Sequence, residues 1–214
     1  VCNVPESSLA RECDSTIITH AGPEIGVAST KAFTTQLTAL MLLIIVLGKK
    51  FEITDDLENS LCTQLKGLPE KIKSTLALDS KIAQLAEIFS DKEHALFLGR
   101  GSHYPIAREG ALKLKEISYI HAESYAAGEL KHGPLAIVDE NMPVVAVAPN
   151  NIVLEKLKSN LEEVKARGGK LYIFADKKAG FKSDDISQVF EIDAPMNPVS
   201  PILFTIPLQL LAYH

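Results

Sequence analysis

Apolar positions along this chain fall into two kinds of run, and the change from one to the other divides it. Between residues 50 and 90 they recur at helical spacing: Leu57, Leu61, Leu65 and Leu68, then Ile72, Leu76, Ile82, Leu85 and Ile88. Polar breaks at Gly67-Leu-Pro69 and Asp79-Ser80 predict two interruptions in this amphipathic stretch, which reads as a helical connector. From His94 onward, short continuous apolar runs alternate with amphipathic ones. Ala95–Leu98, Met142–Ala148, Leu171–Phe174 and Val189–Ile192 read as strands, and the unbroken Val-Val-Ala-Val-Ala run is what a strand buried on both faces requires. A helix from Val153 to Arg167, ended by Gly168-Gly169, and a last helix from about Pro201 complete the alternation. Strand, helix, strand, helix, strand predicts an α/β fold, a doubly wound parallel sheet between helix layers.

The first 48 residues carry a weaker copy of that pattern. Val1–Val4 and Thr16–Thr19 are strand candidates, and a glycine-punctuated loop, Ala21-Gly-Pro-Glu-Ile-Gly26, leads into a helix from about Ser29 to Leu47. Ser29 and Thr30 stand where an N-cap is expected and Gly48 where a C-cap is. The apolar run Leu37–Gly48 is about a dozen residues, short of the roughly 20 that cross a bilayer. It predicts a helix buried on all sides in a core or subunit interface, with no membrane partner. The expected division is therefore 1–48, the end of one α/β unit; 49–90, the connector; and 91–214, a second unit nearly complete. Both termini are apolar rather than polar and flexible, so the sequence reads as a piece of something larger.

Composition narrows the function without choosing it. A chain of 214 residues with 46% hydrophobic and 23% charged residues has the profile of a folded globular protein. Its net charge of −5 argues against nucleic acid, whose phosphates call for clustered Lys and Arg. Cys2, Cys13 and Cys62 are odd in number and lack metal-ligand spacing, which suits a reducing, cytoplasmic setting. The six histidines form no metal set with neighbouring acids, and no metal or cofactor is expected.

Candidate chemistry concentrates between residues 109 and 134. On a helix, Glu109, Lys113 and Glu116 are spaced i, i+4, i+7 and share one narrow face. Such a set is either a solvated, salt-bridged surface or an acid/base patch in which a lysine supports a carboxylate. Gly110 and Ala111 point to close approach by another element, and the small residues Ala122, Ala126, Ala127 and Gly128 suit a tightly packed interior. His132, before Gly133-Pro134, sits where regular structure stops and is either an exposed loop residue or a ligand-facing one. Gly99-Arg-Gly101 resembles the start of a phosphate-cradling turn, but Tyr104 stands in the place of the third glycine, which leaves a plain tight turn as the competing reading. A helix start bearing Ser29, Thr30 and Lys31 is equally a cap or an oxyanion site.

Two long motifs, Gly26-Val-Ala-Ser-Thr-Lys-Ala-Phe-Thr34 and Glu109 to Pro134, resemble the bacterial glutamine–fructose-6-phosphate aminotransferase family in its C-terminal isomerase half. Phe97–Gly101, Val147–Asn150, Ala166–Gly169 and Pro207–His214 extend the likeness from end to end. The resemblance implies two sugar isomerase (SIS) domains, the first represented by its closing part, and conversion of fructose 6-phosphate and glutamine-derived ammonia to glucosamine 6-phosphate. By that resemblance Glu116 moves a proton between sugar C1 and C2, with Lys113 beside it and Glu109 an acidic neighbour. His132 opens the sugar ring in the partner subunit of a homodimer, and Val27 and Ser29 contact the sugar. The family's upstream phosphate loops, its C-terminal Schiff-base lysine and its glutaminase domain have no counterpart in these residues, so the chain alone is expected to be inactive. The competing expectation is a regulator's SIS module that binds a sugar phosphate without catalysis; it would need neither the glutamates nor the lysine.

Overall fold

Five short segments of the chain line up as parallel strands in the computed structural model, which describes residues 1–194 and 198–214. The described chain divides into two compact units, Val1–Leu68 and Pro69–His214, the division falling within one long helix. The elements in chain order are α1 (Ser8–Glu12), α2 (Lys31–Lys50), α3 (Asp55–Leu76), α4 (Asp79–Phe89), β1 (His94–Gly99), α5 (Tyr104–Ser118), β2 (His121–Ala126), β3 (Pro143–Ala148), α6 (Leu154–Ala166), β4 (Lys170–Asp176), β5 (Ser187–Ile192) and α7 (Ser200–Tyr213).

In the first unit the two predicted strands meet only at one bridge, where Cys2 pairs in parallel with Ile18. Pro5 offers no N–H to extend the pairing, and the chain turns at once into α1. Asn3 secures the return segment: its Oδ1 accepts from Thr19 Oγ1 and the Ala21 amide, each at 2.9 Å. The start of α2 corrects the expected cap. Neither Ser29 nor Thr30 closes the helix with its hydroxyl; the Glu24 carboxylate accepts from the Thr30 and Ala32 amides at 2.8 and 3.1 Å. A carboxylate satisfies those orphan N–H groups and meets the positive end of the helix dipole. Gly48 is not the C-cap either. The helix runs on to Lys50, and the Gly48 carbonyl accepts from both Phe51 and Ile53 as the chain doubles back.

Within this one chain α2 is covered along one side, so of the two expected coverings the chain's own core supplies only part. Ala32, Ala39, Met41 and Ile45 are buried, but Leu40, Leu42, Ile44, Val46 and Leu47 are exposed, and 22% of the most apolar window is covered. By length and hydropathy alone this 20-residue helix could cross a membrane. The break predicted at Gly67-Leu-Pro69 does not occur: α3 continues through it, with Pro69 inside the helix, and the chain bends only at residues 77–78.

The second unit holds the sheet, in the order β2-β1-β3-β4-β5, all parallel. Alternate residues serve opposite faces. Leu96, Leu98, Val144, Ala146, Leu171 and Ile173 pack with Leu154, Leu157, Leu161 and Val164 of α6. On the other face lie α4, α5 and α7: Tyr172 of β4 meets Phe89 of α4 with ring centroids 5.5 Å apart, and Phe97 of β1 lies beneath α5. β2 was not legible as a strand. Its residues, His-Ala-Glu-Ser-Tyr-Ala, form an edge whose side chains are mostly half-buried, so no apolar run marks it.

Two contacts fix α5 in this layer. At Gly110 an added methyl would lie 2.7 Å from Leu208 Cδ1 and 3.1 Å from both Leu208 Cβ and Phe97 Cε1, so α5 approaches α7 and β1 as closely as a bare backbone allows. At its start, the buried His103 ring lies between two hydroxyls, Ser102 Oγ at 3.2 Å from Nδ1 and Ser200 Oγ at 3.1 Å from Nε2, with its edge against Phe204. Burial without a carboxylate lowers its pKa to about 4.

Two outcomes follow from these contacts. Gly110→Ala, which in an exposed helix would stabilise by about 1 kcal/mol, is expected to destabilise by about 1–3 kcal/mol through overpacking; urea denaturation gives the sign. For His103, the unfolded chain takes up a proton near pH 6.5 that the native state refuses until about pH 4. Stability should therefore be full above pH 6.5 and fall as pH drops toward 4, by on the order of 3 kcal/mol. His103→Gln should flatten that part of the pH–stability curve, and an unchanged curve would show that the imidazole takes its proton in the folded protein.

Candidate functional site

The Glu109, Lys113 and Glu116 side chains lie on one face of α5, which starts from a tight turn at the carboxyl end of β1. Gly99 makes the turn possible, since a Cβ there would meet the His103 carbonyl oxygen at 2.4 Å, and Gly101 takes a positive φ of 59°. These glycines serve the strand-to-helix turn itself. The helix ends at Ser118, with Tyr119 left-handed at φ 63°.

The spacing of the triplet left open whether it faces water. It does not. The Lys113 side chain is 3% exposed, Glu109 12% and Glu116 29%. Lys113 Nζ donates to Glu116 Oε2 at 2.5 Å and stands 3.7 Å from Glu109 Oε1. A buried ammonium without partners would be costly, and here it is met by two carboxylates from its own helix. The proton affinity of Glu109 is raised, chiefly by burial and further by the Glu116 charge, while Lys113 opposes the shift. Glu116 is the most exposed of the three, a carboxylate a ligand can meet with a hydrogen-bonding cation fixed behind it. A half-exposed acid backed by a buried lysine can take a proton from a substrate and return it.

His132 is not brought to this cluster. It ends a 3-10 turn, Ala127–His132, and its side chain is 74% exposed, with Glu129 Oε2 4.0 Å from Nε2. No hydrogen bond or ion pair joins it to the triplet among the described residues. Val27 and Ser29 lie in the other compact unit, on the loop before α2; Val27 is fully open and Ser29 half-buried. Ser29 hydrogen-bonds Glu24, whose pKa is lowered: burial would raise it, but the Thr30 and Ala32 amides, Ser29 and Lys31 together outweigh that. The sequence offered only an acid six residues ahead of the helix as a sign of this role.

A 350 Å³ groove between α5 and β2 takes Glu109, Arg108 and Lys115 in its wall. A second cavity, of 850 Å³, lies at the amino end of the strands, around His94, His121 and Met142, and shares no residue with the triplet. There His94 Nδ1 stands 3.2 Å from His121 Nδ1. Among the described residues no group of three or more His, Cys, Asp and Glu side chains is placed to hold a metal ion.

Comparison with known proteins agrees with this fold. The SIS domain family matches residues 1–46 and 88–214. Glutamine–fructose-6-phosphate aminotransferase (isomerizing) of Escherichia coli K12 is 61% identical over all 214 residues, and that of Yersinia pseudotuberculosis 60%. The chain spans about a third, 35%, of the length of these curated relatives. Among solved structures, the C-terminal domain of glucosamine-fructose-6-phosphate aminotransferase from Francisella tularensis superposes with a TM-score of 0.96 at 58% identity, covering 100% of this chain and 60% of that one. Glucosamine-6-phosphate deaminase from Thermotoga maritima, at 24% identity and a TM-score of 0.69 over 99% of this chain and 58% of its own, shares the fold.

Proposed function

The chain belongs to the SIS domain family, and we propose that it is the isomerase portion of a glutamine–fructose-6-phosphate aminotransferase, making glucosamine 6-phosphate from fructose 6-phosphate and ammonia released from glutamine. The observation that carries this reading is the buried Lys113 held between Glu109 and Glu116, on a chain 61% identical to such an enzyme throughout its length. In it, residues 1–48 are the closing part of a first SIS domain, 49–90 the connector and 91–214 the second domain. The glutaminase that supplies ammonia belongs to another part of the polypeptide.

Glu116 takes the proton from sugar C1 and returns it to C2, turning a C2 imine through an enolamine into the 2-amino aldose. Lys113 lies behind it, donating to the carboxylate, and Glu109 completes the patch. His132, exposed on its turn, opens the sugar ring in the site of the partner subunit of a homodimer; among the described residues no hydrogen bond or ion pair ties it to the triplet of its own chain, which leaves it free for that role. Val27 and Ser29 contact the sugar. A module that only sensed a sugar phosphate would have no use for a buried lysine between two acids, and that contrast favours the enzyme. The three free thiols suit a cytoplasmic setting.

In the complete polypeptide, Glu116→Gln keeps the side-chain shape but cannot accept the proton, so isomerisation should fall by about 10²-fold or more while glutaminase activity survives. Turnover of fructose 6-phosphate near the unmodified rate would remove Glu116 from the role of base. Mixed dimers of Glu116→Gln and His132→Ala subunits should regain activity, because one of their two sites then has both residues intact. If exchanged dimers stay inactive, the two residues serve one subunit's site.

A further inference from the structure

The His132 side chain makes no hydrogen bond among the described residues, so its position comes chiefly from the backbone that carries it. Among the described residues its one ion-pair partner is Glu129, at 4.0 Å, and both are largely exposed. Past it, Gly133 has φ 143° and Pro134 opens a second 3-10 turn. The turn that precedes it is secured from below. Ala127 and Leu130 are fully buried in the core beside α6, and Lys131 reaches Glu163 of α6 at 3.0 Å.

Between them, Arg100 extends from the end of β1 and lies against the turn at Gly128. A methyl at Gly128 would stand 2.9 Å from Arg100 Nη1, 3.3 Å from Cζ and 3.4 Å from Nη2, so the guanidinium lies against the backbone. The same Nη1 donates to Asn160 Oδ1 of α6 at 2.9 Å. No carboxylate pairs with Arg100 among the described residues. An amide oxygen orients this cation without neutralising it, and the planar fork can rest against a glycine where a lysine's tetrahedral ammonium cannot.

We infer that Arg100 and Asn160 are positioning residues for His132: held by the amide, the guanidinium forms the floor on which Gly128 rests and so sets where the histidine is presented. This rests on the ring-opening role proposed for His132 and adds to it the residues on which that role depends. Gly128 belongs to the same device, since any side chain there displaces either the turn or the arginine.

The experiment separates ring opening from the later proton transfer with two substrates. Fructose 6-phosphate must open; a ketose 6-phosphate lacking the 5-hydroxyl cannot close a ring, because its 6-oxygen is already esterified. In the complete polypeptide, Arg100→Lys, Gly128→Ala and Asn160→Leu should each lower kcat on fructose 6-phosphate by about 10-fold or more, with KM little changed. On the 5-deoxy substrate their kcat should stay within about 2-fold of the unmodified enzyme. Asn160→Asp keeps an acceptor for Arg100 and should retain activity on both. His132→Ala is the reference and should show the same split. Should His132→Ala slow both substrates equally, the ring-opening assignment fails. Should it show the split while the Arg100, Gly128 and Asn160 variants lose both activities equally, or neither, the positioning inference is overturned. A higher KM in Arg100→Lys alone, with Gly128→Ala and Asn160→Leu silent, would overturn it too, making Arg100 a ligand contact. Melting temperatures identify any variant that has failed to fold, and Asn160→Asp then decides between bracing and bulk packing.

Discussion

An ammonium group removed from water must be met by negative charge or lose its proton, and the buried Lys113 imposes that constraint on its whole surroundings. Its two partners come from one turn of helix on either side, so the helix carries its own compensation and can be pressed against the sheet without leaving a bare charge. Pressing it there requires Gly110, which lets Leu208 of α7 and Phe97 of β1 close over the back of the helix. It also requires Gly99, which lets the chain reverse from strand to helix with no side chain in the way. The polar patch and the apolar packing are therefore one arrangement seen from two sides of α5.

The fold fixes where α5 begins, and the helix then runs back along the sheet with Glu116 in its last turn. Parallel strands all end at the same edge, and the turn after β1 places the start of α5 at that edge. His103 ties the start of α5 to the start of α7 through two hydroxyls, at the cost of a histidine that resists protonation. On the opposite face, α6 has a second task besides covering the sheet: Glu163 pairs with Lys131 of the turn that ends in His132, and Asn160 holds Arg100, which lies against that turn at Gly128. Glu116 and His132 are thus supported from opposite layers of one sheet.

How much was legible beforehand depended on which force marks a residue. β1, β3 and β4 could be read from unbroken apolar runs because strands buried on both faces have no polar positions to spare, and β5, at one edge, could be read because Val189, Phe190 and Ile192 still cluster there. β2 could not, because an edge strand needs no such run. The break at Pro69 was misread: a proline costs a helix one hydrogen bond, and the rest of a 22-residue helix can absorb that. Ser29 and Thr30 looked like caps by local chemistry, but Glu24, farther back along the loop, reaches the amides first.

The sequence by itself determined the fold class, the helix that bears the triplet, and the sharing of one face by Glu109, Lys113 and Glu116, since periodicity is a property of the chain alone. It could not say whether that face was wet. Only the tertiary structure decided that Lys113 is enclosed, that His132 stands apart from it, and that Arg100 lies under Gly128. Burial and contact between residues distant in the chain depend on which elements the folded layers bring together, and no local spacing encodes them.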